Sequence, residues 1–176
     1  APAQAAPAAA AAAAAPVPSD SLYVLDMALL NQAAETTTLA RYRGHPTIVS
    51  MFYATCPAAC PMLISDIHRL EDALDEETRR DLRVVLVSFD PDADTPAVLT
   101  KLTKEQHVDT SRWTLASAEA DDVRTLAASL GISYRRLESG HYNHSAVITL
   151  LDRDGRPVAK VDGLNQPTEP IVAALR

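Results

Sequence analysis

The sequence predicts a three-layer α/β domain built on a mixed sheet, parallel inside and finished by an antiparallel hairpin and a last helix. Three observations carry this reading. Two apolar runs rich in β-branched residues, Thr47 to Tyr53 and Arg83 to Phe89, read as buried central strands. Each is followed by a segment whose apolar residues recur at helical spacing. Near the end, Asp152-Arg153-Asp154-Gly155 is a hairpin turn, with glycine supplying the positive φ.

The elements follow in order. Residues 1–20 are almost wholly Ala and Pro, offer a core no apolar side chain larger than Val17, and read as a disordered tether ahead of a domain over residues 21–176. Leu22 to Leu25 and Thr37 to Leu39 are small strand candidates, and Gly44-His45-Pro46 launches the first central strand. Pro57 and Pro61 bracket a turn into a helix carrying Leu63, Ile64, Ile67, Leu70 and Leu74. After the second central strand, Asp94-Thr95-Pro96 starts a helix running to about Gln106. Trp113 to Leu115 is a short strand. The stripe Val123, Leu126, Ala127 and Leu130 is a further helix, closed by Gly131. Strands Ser145 to Leu151 and Pro157 to Val161 flank the hairpin turn, and a helix follows near Pro170 to Leu175. This order suits a thioredoxin-like fold.

A chain of 176 residues, 47% hydrophobic and 22% charged, is long enough for one domain with its own core, and a monomer is expected. The net charge of -7 and the lack of any Lys/Arg run exclude a nucleic-acid surface. Apart from the Ala-rich start, interrupted by prolines, no apolar run approaches the length of about 18 residues that a spanning helix needs. The opening Ala-Pro-Ala, without Met, fits a mature end left by removal of an export signal.

The chemistry gathers on the two cysteines, Cys56 and Cys60, at the end of a predicted buried strand and the start of a helix. Residues four apart on a first helical turn face one side, so both sulfurs can reach one ion. The helix N-terminus favours negative charge, which predicts acidic thiols at both positions. A structural staple over so short a loop would remove little chain entropy, which leaves redox chemistry and metal binding. Two thiolates suit Cu(I), and an added imidazole would extend the site to Cu(II). Of the five histidines, His45, His68 and His107 read as solvated residues. His141 and His144 lie in a loop that a thioredoxin-like topology places beside the cysteines, where thioredoxin oxidoreductases carry a cis-proline. No proline occurs between Pro96 and Pro157, which favours copper over plain dithiol chemistry.

Three segments then resemble one family. Met51 to Pro61, containing Cys56-Pro57-Ala58-Ala59-Cys60-Pro61, is similar to the Cys-Pro-x-x-Cys-Pro signature of the Sco/SenC proteins. Ser88 to Pro96 looks like their Ser-x-Asp-Pro-x-x-Asp-Thr-Pro segment, and Asn143-His144-Ser145 falls where the family has Asp-His-Ser/Thr. The resemblance covers roughly residues 22–175. It implies a copper site made of Cys56, Cys60 and His144, one ion per chain. It also implies supply of copper to the dinuclear centre of cytochrome c oxidase, in the periplasm or on the outer face of a bacterial inner membrane, with a cleaved signal or a membrane anchor ahead of the sequence. Ala58, Thr55 and Asn143 depart from residues common in the family, and two carboxylates are thereby lost near the site. His141 is an extra imidazole, read as solvent-facing. Two further functions stay open: a thiol-disulfide oxidoreductase that uses Cys56 and Cys60 to reduce an acceptor's cysteines, and a peroxiredoxin-like peroxidase. The peroxidase is disfavoured because no arginine lies near the cysteine loop in sequence.

Overall fold

The computed structural model describes residues 15–176. Most of the segment read as a tether, residues 1–14, lies outside the described residues. Its last residues lie against the domain: the Arg43 guanidinium donates to the Ala15 and Pro16 carbonyls, Val17 packs on the core, and Asp20 pairs with Arg156 at 2.9 Å.

Nine strands and five helices occur in the described residues: β1 (Leu29–Asn31), β2 (Thr36–Thr37), β3 (Thr47–Phe52), α1 (Ala59–Asp72), α2 (Glu76–Asp81), β4 (Arg83–Ser88), α3 (Pro96–Glu105), β5 (Trp113–Ser117), α4 (Ala120–Leu130), β6 (Tyr134–Arg136), β7 (Tyr142–His144), β8 (Val147–Leu151), β9 (Pro157–Asp162) and α5 (Glu169–Leu175). The main sheet runs β2-β1-β5-β4-β3-β8-β9. Strands β3, β4 and β5 are parallel, and antiparallel strands flank them on both sides. This is the expected thioredoxin-like mixed sheet with its terminal hairpin and helix. Among the described residues no helix is long and apolar enough to cross a membrane.

β3 and β4 are buried along nearly their whole length, as a strand covered on both faces must be. The polar residues within β3 are satisfied: the Ser50 hydroxyl donates to the Val147 carbonyl at 2.6 Å, and Thr47 Oγ1 accepts from Tyr23 at 3.4 Å. Helix α3 starts as read, with Thr95 Oγ1 accepting from the Val98 N–H at 3.4 Å and Pro96 in the first turn. Helix α4 ends on Gly131 at φ 68, in the left-handed region where a side chain would be strained.

Three local readings are corrected, and one helix, α2, is an element the apolar pattern does not announce. Leu22–Val24 is a 3-10 turn rather than a strand, because the Ser21 hydroxyl caps it at the Tyr23 N–H, 3.0 Å away. Residues 37–39 leave the sheet after Thr37, and a second 3-10 turn begins at Leu39. Helix α2 has no buried residue, hence no apolar period, and announces itself only by the Asp75 cap on Thr78 at 2.8 Å. The stretch leading to His144 is a small antiparallel sheet, β6 with β7, in which Tyr134 faces His144 across the ladder. Its polar sequence carries no strand signal.

Gly155 ties the chain start to the terminal hairpin. Its carbonyl accepts from the Leu22 N–H at 2.9 Å, and its φ of 85° is a glycine conformation. A Cβ there would lie 2.5 Å from both the Ser21 hydroxyl and the Tyr23 ring. Gly155→Ala should therefore cost about 3 kcal/mol, through backbone strain together with a clash against backbone-anchored neighbours. Chemical denaturation checks this, and a loss below about 1 kcal/mol would show that the hairpin yields.

Candidate metal centre

β3 ends at Phe52, whose carbonyl accepts from the Phe89 N–H at 2.7 Å, and the chain then reverses into α1. The Cys56 N–H closes that turn on the Tyr53 carbonyl at 3.2 Å. Cys60 follows in the first turn of α1, and its sulfur accepts from the Tyr53 N–H at 3.5 Å. Both cysteines are buried free thiols. His144 arrives from the other side, at the end of β7. One donor atom from each of Cys56, Cys60 and His144 lies within 4.8 Å of the others, the only such group of three or more among the described residues.

The His144 ring is held from two sides. It meets the Tyr53 ring edge-on, centroids 5.8 Å apart, and lies 5.0 Å from Phe89. Its Nδ1 is 3.0 Å from the Ser145 carbonyl, which can only accept, so that contact places the proton on Nδ1 and leaves the lone pair of a neutral ring on Nε2. Tyr142 and Tyr134 extend the aromatic cluster, 5.2 Å from Tyr53 and 4.9 Å from Phe89. His141 is exposed, 6.2 Å from the Tyr53 ring and outside the three-donor group. The other histidines lie elsewhere. His45 pairs with Asp81 at 2.6 Å. His68, read as solvated, is half-buried instead, its ring 4.9 Å from Trp113, which fills the space that reading assigned to water.

The two thiols differ, which corrects the expectation that both are acidic. Burial pushes Cys56 up, yet the Cys60 N–H and thiol, the Ala58 N–H and the Tyr53 hydroxyl stabilise its thiolate and bring it below an ordinary thiol. Burial pushes Cys60 far up, and the neighbouring Cys56 and Asp94 charges add to this against a single backbone N–H from Tyr53. Desolvation outweighs the helix terminus at the deeper sulfur.

Asp94 lies behind the cysteine turn, a placement that its residue type and spacing do not signal. It is 1% exposed, and its Oδ2 accepts from the Ser88 hydroxyl and from the Ala54 N–H, the latter at 3.0 Å, two residues before Cys56. Its Oδ1 is buried without a partner among the described residues, and burial makes the carboxyl a weaker acid than usual despite the Ser88 and Ala54 bonds. The only signal was its place within the Ser88 to Pro96 segment.

The chain matches the family model described as SCO1/SenC over residues 18–176. It is 24% identical over 134 residues to a SCO2-like protein of Rickettsia prowazekii, covering 73% of this chain and 63% of that protein. The chain thus spans less than two thirds of that relative's length. Among solved structures, the fold is similar to a SCO1/SenC family lipoprotein of Bacillus anthracis, with TM-score 0.76, 23% identity and coverage of 84% and 89% of the two chains. It is also similar to copper-bound ScoI of Bradyrhizobium japonicum, with TM-score 0.69, 25% identity and coverage of 85% and 94%.

The unequal thiols make a testable difference. In the metal-free reduced protein, iodoacetamide should modify Cys56 before Cys60, with a pH midpoint below that of a free thiol near 8.5. Peptide mass mapping over time checks this; equal rates, or Cys60 first, would remove the asymmetry.

Proposed function

The chain belongs to the SCO1/SenC family, and on that premise we propose that it is a copper chaperone holding one ion, as Cu(I) or Cu(II), on Cys56, Cys60 and His144. The observation that carries the proposal is the approach of these three donors to within 4.8 Å of one another. Two thiolates are soft ligands suited to Cu(I), and the imidazole extends the set to Cu(II). The copper-bound ScoI of similar fold supports the choice of metal. Cys56 is the readier thiolate, and Cys60 gives up its proton when the cation offsets the cost of burying its charge. The Ser145 carbonyl holds the histidine tautomer with Nε2 as donor.

The cargo goes to a copper-accepting protein, which we assign as the subunit of cytochrome c oxidase that carries the dinuclear copper centre. The setting is the periplasm or the outer face of a bacterial inner membrane, and the chain acts as a monomer. The family resemblance and the lipoprotein relative support that placement.

A second reading, a thiol-disulfide oxidoreductase, is favoured by the unequal acidity of the cysteines. The Cys56 thiolate would attack an acceptor disulfide, releasing one acceptor thiolate and forming a mixed disulfide. Cys60, losing its proton, would then displace the second acceptor thiolate. The Cys56–Cys60 disulfide forms as the acceptor is reduced to two thiols.

Histidine substitutions separate the two. His144→Ala should lower Cu(II) affinity at least about tenfold, or 1.4 kcal/mol, with a smaller effect on Cu(I), and should leave dithiol-disulfide cycling intact. His141→Ala should change neither, since that ring lies outside the donor group. Chelator competition for both oxidation states and the dithiol potential are the measurements. Loss of Cu(II) affinity only in His141→Ala would mean the wrong histidine is assigned, and no loss in either would make the oxidoreductase the leading function.

A further inference from the structure

Eleven of the sixteen Lys and Arg side chains pair with a carboxylate, and five do not among the described residues: Arg41, Arg83, Lys104, Arg135 and Arg136. Residues 1–14 contain no Asp or Glu that could supply a partner. In a chain of net charge -7, unpaired cations are unexpected, and their placement is uneven. Arg41, Arg83 and Lys104 all line one cavity of about 740 Å³.

That cavity is remote from the metal centre. Arg83 opens β4 level with Thr47 at the start of β3, while Cys56 lies beyond Phe52 at the other end of that strand. The separation is about 17 Å of strand at the rise of an extended chain. Arg112, just ahead of β5, adds a fourth cation to the wall, and Glu35 is the single carboxylate among the lining residues. Glu35 already accepts from the Asn31 amide at 3.3 Å, and Arg112 is held by Glu71 at 2.7 Å and Asp109 at 3.0 Å.

Arg83 spends one terminal nitrogen on the carbonyls of Arg80, Asp81 and Leu82 at the end of α2, and its remaining guanidinium donors are uncommitted among the described residues. Like charges gathered in a cleft repel one another, and they focus a field that draws in a counter-ion. A volume of about 740 Å³ exceeds what an inorganic anion fills and lies within the range of small-molecule sites. Val108 and the Tyr42 ring give the body of such a ligand apolar surface.

We propose that this cavity is a binding site for a small organic polyanion, a polycarboxylate or a phosphate ester carrying at least two negative charges, held by Arg41, Arg83 and Lys104. The site is independent of the copper ligands. Trp113, the only tryptophan, reports on it: its Nε1 donates to Glu71 at 3.1 Å, and Glu71 also holds Arg112 in the cavity wall.

The test uses the full metal-free chain, titrated with citrate and with fructose bisphosphate at constant ionic strength, with glucose as the neutral probe. Calorimetry and Trp113 fluorescence are the readouts. Saturable one-to-one binding of at least one anion, and none of glucose, is expected. The double variant Arg41→Gln with Lys104→Gln, both exposed side chains, should weaken it at least about tenfold, while Arg135→Gln with Arg136→Gln should change it by less than about twofold. Absence of saturable binding of either anion would overturn the proposal. So would an equal loss in the two double variants, which would reduce the effect to net charge. Copper stoichiometry should be the same in all three proteins, so failure here leaves the copper assignment standing.

Discussion

The candidate metal centre leans on one part-buried hydrogen bond, from the Ala54 N–H to the Asp94 carboxylate at 3.0 Å. That bond fixes the reversal between β3 and α1, and everything after it is counted from there: Cys56 two residues on, Cys60 four later in the helix. Burying a carboxylate is costly unless its oxygens are satisfied, and here only one oxygen is. The cost is tolerated because Ser88 and Ala54 hold the other oxygen, and because the alternative is an unpaired N–H beside the thiols. The Ser88 to Pro96 segment thus acts on the site through the backbone, by holding the loop that presents the first sulfur.

The cysteines and the histidine are held with unequal firmness. Cys56 and Cys60 grow out of a strand buried along its whole length and a helix whose apolar stripe is core. His144 ends a three-residue strand of a two-stranded sheet, a unit that has little stability of its own. Its position rests on two aromatic neighbours and one carbonyl. A site with two fixed thiolates and one lightly held imidazole can lose its third donor without disturbing the first two. That asymmetry would suit the proposed chaperone role, in which the ion is released, because ligands can be exchanged one at a time.

The legible parts of the sequence were those with one strong physical period. β3, β4, α1, α3, α4 and the β8–β9 hairpin each bury a continuous apolar run or stripe, and the residues that begin or end several of them, Pro96, Gly131 and Gly155, act by local backbone chemistry. Where an element buries little or is set by a side-chain cap, the signal vanished. Helix α2 buries nothing, β6 reads Tyr-Arg-Arg, and the turn at Leu22–Val24 is set by a hydroxyl rather than by its apolar residues. At the site, Cys56 and Cys60 could be read because cysteine has few uses, whereas the choice of His144 over His141 came from the resemblance of Asn143-His144-Ser145. Asp94 could not be read, because an aspartate ahead of Thr-Pro is first of all a helix-start signal.

The acidity of Cys60 shows why position along a chain is a poor guide to reactivity at a site. A helix N-terminus stabilises a nearby anion by about 0.3 to 1 kcal/mol when exposed, and up to about 2 when partly buried. Withdrawing a thiolate from water costs more than that unless several donors replace the lost solvation. Cys56 has such donors in two N–H groups, a thiol and a phenol, whereas Cys60 has one N–H and two negative neighbours. The same helix start therefore yields one ready thiolate and one reluctant one, and the reluctant sulfur becomes a good ligand only when a cation lies beside it. A soft cation supplies that charge, and so the depth of Cys60, which works against free thiolate chemistry, works in favour of metal binding.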